Sequence, residues 1–218
     1  MEGDIPQLGI QIPATALWRF WNMLPHTHAQ TWNRAELVRA LAVSESTVRR
    51  YLALLTGGFM VRQLPPWFEN LSKRQVKAPK VFVHDSGLLH SLLGIAKQRD
   101  LELHPKVSAS WEGYAVEEVL KTLQADEAYY WATHQGAELD LLLFKHGRRL
   151  RVECKRKDAP TLTPSMRIAL NDLKLDWLVI VYPGERRYTL ADRVEVIPLA
   201  EMVAAGGGAA SLFKKPHR

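Results

Sequence analysis

The sequence predicts an α/β (α+β) chain built from two parts, and three observations carry that expectation. Residues 33–58 repeat apolar side chains at helical spacing, residues 110–198 alternate short apolar strands with helices, and residues 95–109 between them show no period. The 218 residues are chain enough for two small cores. The expected boundaries are a connecting segment over 1–32, a first unit over 33–97, a second over 108–204 and a flexible tail over 205–218.

The first unit starts at "NRAELVRALAV", where Asn33 can cap a helix and Glu36, three residues on, can complete a capping box. Leu37, Val38 and Leu41 are its apolar face. "SESTVRRYLALL" follows a tight break and repeats Val48, Tyr51, Leu52 and Leu55 at helical spacing until Gly57 and Gly58 end it. "FMVRQLPPW" then reads as a short strand closed by a double proline. Helix, turn, helix, strand is the outline of a winged helix-turn-helix, the N-terminal part of the expected fold. In such motifs the start of the second helix meets DNA, which makes Ser46, Thr47, Arg49 and Arg50 candidate contacts. Lys73 and Arg74 in "NLSKRQVKAPK" add a basic strip suited to phosphates. The plain alternative for both is a solvated helix face and an exposed loop. "KAPKVFVHDSGLLHSLLGI" gives a strand over 80–83 and a helix capped by Asp85 and closed by Gly94, with Leu88, Leu89, Leu92 and Leu93 as its packing face.

The second unit opens with the helix "SWEGYAVEEVLKTLQ". Strands "AYYWATH", "AELDLLLF" and "LRVECKRK", the helix "PSMRIALNDLK" and the strand "DWLVIVYP" follow, in the order αβββαβ. Thr163 before Pro164 is a helix start, and Pro183-Gly184 ends the apolar strand. A further strand at 194–198 and a short helix complete it. The Trp residues at 18, 21, 32, 67, 111, 131 and 177 share no period and read as core and interface filler, and His134 reads as structural.

Composition excludes several classes. No apolar run is long enough to span a bilayer, and "MEGDIPQLGI" has neither the basic start nor the apolar core of a signal peptide, so a cytoplasmic location is expected. The single Cys154 rules out an internal disulfide and a thiolate zinc cluster. A net charge of +6 favours a polyanionic partner through its long-range field.

The informative stretch is "GAELDLLLFKHGRRLRVECKRK", residues 136–157, which sets acids inside apolar strands. Side chains alternate along a strand, so Glu138, Asp140, Leu142 and Phe144 share one face, as do Arg151, Glu153 and Lys155 on the next strand. A hairpin turn at "KHGR" pairs residues whose numbers sum to 293, which puts Asp140 across from Glu153. Opposed carboxylates repel unless a divalent cation holds them. Glu112 lies in helical register with Val116, Val119, Leu120 and Leu123, so it faces the sheet as a third acid. Glu112, Asp140 and Glu153 are therefore the candidate ligands for Mg²⁺ or Mn²⁺, with Glu138 a further candidate one pleat away. Lys155 is placed to orient a nucleophile and steady charge on a phosphate. Taken singly, Glu112 also suits a first helical turn and Glu153 with Lys155 an edge-strand ion pair; Asp140 within "ELDLLLF" has no such bland account.

A helical Glu, then Asp, then Glu-X-Lys on an αβββαβ frame resembles the PD-(D/E)XK, or restriction-endonuclease-like, nucleases, although Leu139 stands where the proline of that motif would be. "YLALLTGGFMVRQLPPW", "KAPKVFVHDSGLLHSLLGI", "SWEGYAVEEVL", "YYWATHQGAELDLLL" and "VECKRK" together resemble the C-terminal part of bacterial AAA-type ATPases that end in domain of unknown function 4143. The resemblance implies a nuclease-like second unit with a mixed central sheet, a DNA-binding winged helix, and an ATPase module as a neighbour or partner. Residues 2–12 resemble the segment that follows such an ATPase. This chain has no G-x-x-x-x-G-K-[S/T] loop and no ATP binding of its own is expected. Two functions follow as expectations: a metal-dependent DNA nuclease with catalytic Glu112, Asp140, Glu153 and Lys155, or a non-catalytic DNA-binding or protein-docking module that keeps the nuclease fold. Transcriptional regulation leaves the acids unexplained.

Overall fold

The computed structural model describes residues 13–69 and 75–206. Lys73 and Arg74, residues 1–12 and the tail from 207 onward lie outside the described residues. The chain forms two units, residues 1–63 with 80–104, and residues 64–79 with 105–218. Both mix helices and strands, eight α-helices and nine strands being described.

In the first unit, α1 (Ala14–Met23) buries Leu17, Phe20 and Trp21, so part of the expected connecting segment belongs to a core. A 3-10 turn (Leu24–Thr27) and β1 (Gln30–Thr31) lead to α2 (Arg34–Leu41). Asn33 caps α2 by accepting from the Glu36 N–H, while the Glu36 carboxylate takes the Asn33 side-chain amide. Ala42 turns the chain in the left-handed region, and Ser44 caps α3 (Glu45–Gly57) by accepting from the Thr47 N–H. Leu37 and Leu41 of α2 and Val48, Tyr51, Leu52 and Leu55 of α3 are buried, as their spacing requires, and Phe20 meets Tyr51 edge to face at 5.5 Å. β2 (Val61–Leu64) and β3 (Lys80–Val83) form a sheet with β1 in the order β1-β3-β2.

Asp85 caps α4 (Ser86–Leu92) through the Leu88 N–H. Of the four leucines expected to pack there, Leu89 alone is buried; Leu88, Leu92 and Leu93 stay half-exposed. The aperiodic stretch contains a short helix, α5 (Gln98–Leu103), which buries none of its residues and so left no period to read. Trp18, grouped with the core tryptophans by sequence, is 56% exposed.

The second unit has a six-stranded mixed sheet in the order β4-β5-β6-β7-β9-β8. Its elements are α6 (Val107–Leu123), β4 (Glu127–Ala132), β5 (Glu138–Lys145), β6 (Arg148–Cys154), α7 (Pro164–Asp172), β7 (Leu178–Tyr182), β8 (Tyr188–Ala191), β9 (Val194–Pro198) and α8 (Leu199–Ala205). β4, β5 and β6 run antiparallel, β6, β7 and β9 parallel, and β8 returns antiparallel on β9. The β5–β6 hairpin turns through His146 and Gly147, both at positive φ, the backbone of a two-residue turn that matches strand twist. Its register is Leu141↔Val152, Leu142↔Arg151, Phe144↔Arg149 and Lys145↔Arg148, the sum of 293 expected from the turn. Trp131, Leu139, Leu142, Ile180 and Val196 of the sheet pack with Met166, Ala169 and Leu170 of α7 as one core. Residues 65–67 and 75–76 close the outer edge of β4: the Trp67 N–H donates to the Tyr130 carbonyl and the Val76 N–H to the Ala132 carbonyl.

Candidate metal centre

The acids gather where β5 and β6 part company. The ladder between these strands ends at Leu141↔Val152, one step short of Asp140 and Glu153. Beyond that step, side chains take the bonds that a neighbouring strand would supply. Asp140 Oδ2 accepts from the Cys154 N–H at 2.8 Å, and Glu153 Oε2 faces the Asp140 N–H at 3.4 Å. The Glu138 N–H donates to Ser165 Oγ at 2.7 Å, and the Ser165 hydroxyl donates back to the Glu138 carbonyl at 2.8 Å. Backbone polar groups stay satisfied while the strands open.

Into this gap α6 brings Glu112. One carboxylate oxygen each from Glu112, Glu138 and Asp140 lies within 4.8 Å of the other two. The structure thus joins Glu112 and Asp140 with Glu138, the acid that the alternation of β5 had placed on the same face but a pleat further off. Glu153 stands beside this trio with both oxygens committed, Oε2 toward Asp140 and Oε1 to the Lys155 ammonium at 2.6 Å. Lys155 is steadied by its own N–H, which donates to the Val181 carbonyl of β7.

Burial shapes the chemistry. Asp140 and Glu153 are 5% and 3% exposed, whereas Glu112 and Glu138 reach solvent in part. Burial first, and the Asp140 charge second, push the Glu153 carboxyl up to about 8 despite the Lys155 ammonium beside it. Burial alone would lower the Lys155 amine, but the Glu153, Asp140 and Glu112 carboxylates outweigh it and hold its pKa above the ordinary lysine value. Lys155 is therefore a cation at neutral pH. Burial first, and the charges of Asp140, Glu112 and Glu153 after it, push the Cys154 thiol well above its usual range, so it is neither a nucleophile nor a thiolate ligand.

All donors in the trio are carboxylate oxygens, the hard set that suits Mg²⁺ or Mn²⁺ and leaves positions for water. His134 lies exposed in the β4–β5 turn. Sequence reasoning missed Ser165, which nothing distinguishes from an ordinary second residue of a helix.

Residues 107–202 match the model of a family described as Domain of unknown function (DUF4143). The DUF4143 match runs from the start of α6 into α8 and takes in Glu112, Glu138, Asp140, Glu153, Lys155 and Ser165. Residues 1–99 match a second family, Domain of unknown function (DUF8612). The chain is 48% identical over 206 residues to Uncharacterized protein Rv2008c of Mycobacterium tuberculosis and, equally, to Uncharacterized protein Mb2031c of Mycobacterium bovis. In each case 94% of this chain is covered but 47% of the relative, so the chain spans about half the length of the curated relatives it matches. No solved structure matches. Among the described residues, no helix is long and apolar enough to cross a membrane.

Of the predicted DNA contacts, Ser46, Thr47, Arg49 and Arg50 lie in the first unit. Arg49 and Arg50 are exposed on α3, Arg49 paired at 3.3 Å with Glu45 one turn earlier. Ser46 and Thr47 share hydrogen bonds with the capping Ser44 hydroxyl at 2.8 Å each.

Proposed function

We propose that the second unit is a PD-(D/E)XK-like, metal-dependent DNA phosphodiesterase and that α2, α3 and the strands after them act as a winged helix that holds DNA. The observation that carries this reading is the meeting of Glu112, Glu138 and Asp140 within 4.8 Å, next to a lysine that stays protonated. Glu112, Glu138 and Asp140 would hold Mg²⁺ or Mn²⁺, and the ion when bound would polarise a phosphoryl oxygen and lower the pKa of a coordinated water. Lys155, fixed by Glu153, donates to the phosphate oxygens and offsets negative charge as it builds there. Its raised pKa makes it an electrostatic donor rather than a general base. Asp140, tied to the Cys154 N–H, is held in the orientation a ligand needs. The partner we propose is an AAA-type ATPase module, on the strength of the sequence resemblance to the C-terminal part of such proteins.

Incubation with Mg²⁺ or Mn²⁺ and single-stranded, duplex and branched DNA tests the reading. Cleavage that EDTA stops is expected. DNA binding without cleavage on any substrate would instead assign a docking module that keeps the fold. The winged-helix part has its own test, because each phosphate the protein ceases to neutralise lowers the slope of log affinity against log salt by about 0.9. Changing Arg49 and Arg50 together to Ala should weaken DNA binding and reduce that slope by about 2. An unchanged slope would make this face of α3 a packing or protein-binding surface.

A further inference from the structure

We infer that Ser165 is a positioning residue for the metal centre, an inference that rests on the function proposed above. Glu138 begins β5, where β6 has already diverged, so the Glu138 peptide groups have lost a strand partner on that side. Ser165 replaces it. Its one hydroxyl accepts from the Glu138 N–H at 2.7 Å and donates to the Glu138 carbonyl at 2.8 Å, across 27 residues of chain. A single oxygen that engages both groups of one residue fixes that residue's backbone, and with it the direction in which the carboxylate leaves the strand.

Ser165 is itself held firmly. It is the second residue of α7, whose start is fixed by Pro164 and by the Thr163 hydroxyl accepting from the Met166 N–H at 3.2 Å. Met166, fully buried in the core beneath α7, anchors the same turn. α7 thus does for Glu138 what the Cys154 N–H does for Asp140. Outer partners of this kind set ligand direction, and their loss characteristically costs 10–100-fold in metal affinity.

The test measures Mn²⁺ affinity by titration calorimetry and the thermal midpoint for the parent, Ser165→Ala, Ser165→Thr and Ser44→Ala. Ser165→Ala should weaken Mn²⁺ binding by roughly 10–100-fold, and Ser165→Thr, which keeps the hydroxyl, should restore most of it. Ser44→Ala removes the cap of α3 in the first unit, so it should lower the thermal midpoint and leave the affinity unchanged. Parent-like binding by Ser165→Ala, or an equal loss in Ser44→Ala, would overturn the inference alone. Absence of Mn²⁺ binding by the parent would overturn the proposed metal centre along with it.

Discussion

Replacing Asp140 with Asn is expected to remove Mn²⁺ binding at the acid centre while leaving the metal-free protein about as stable as the parent. Asp140 is the buried member of the Glu112, Glu138 and Asp140 trio, so its charge is the one least screened by water and counts most for a cation. The structural bond survives, because the Asn carbonyl oxygen can still accept from the Cys154 N–H. The change also withdraws a negative charge that raises Glu153, which relieves repulsion in the absence of metal. Calorimetric titration with Mn²⁺ and a thermal melt in EDTA read the two effects. Unaltered Mn²⁺ binding in this variant would place the ion elsewhere and leave the acid patch without a metal role.

Lys155→Ala should be the most damaging single change, and its cost should depend on pH. Glu153 titrates at about 8 in the folded chain, against an ordinary value of 4.5. Between those values the folded state keeps a proton that the unfolded chain has released, so the stability of the metal-free protein declines as pH rises through this window. The Lys155 ammonium is what limits that decline, since it is the charge that lowers Glu153. Without it the Glu153 pKa climbs further and the window extends upward. Denaturant titrations in EDTA should find Lys155→Ala close to the parent at pH 5 and destabilised by roughly 3 kcal/mol at pH 9, the low end of the cost of breaking a buried pair because Lys155 is partly exposed. Glu153→Gln combined with Lys155→Ala should recover most of the loss. A deficit of equal size at both pH values would show that Lys155 acts through packing and not through charge. In cleavage assays at pH 7, Lys155→Ala should lose activity while retaining Mn²⁺ binding.

Much of the second unit can be read in its residues because local rules and tertiary packing agree there. Strand 178–182 is a continuous apolar run of the kind that sits in the middle of a sheet, and a two-residue turn leaves the β5–β6 register no freedom. Asp140 stood out because an acid in such a strand has no local purpose. Glu138 was harder to place, since strand alternation gives its face but not its distance; the parting of β5 and β6 and the grip of Ser165 decide that, and both are tertiary. β8 and α5 left no signal. Neither has a fully buried residue, so neither needs an apolar period. The role of α1 was hidden because its aromatic residues, split between Phe20 and Trp21 inside and Trp18 outside, do not announce which face is covered.

The strand edge sealed by residues 65–67 and 75–76 governs how the molecule can be dissected. Those residues precede α4 and α5 in the chain, yet they bond to β4, so the second unit is not one continuous stretch of sequence. A fragment cut to begin at 105 would carry the whole acid centre but leave the Tyr130 and Ala132 carbonyls bare along β4. An exposed strand edge recruits other strands, and such a fragment would be prone to self-association through β4 before its chemistry could be measured. Genetic excision of the second unit has to carry residues 64–79 with it, for example by fusing them ahead of 105 through a short flexible linker.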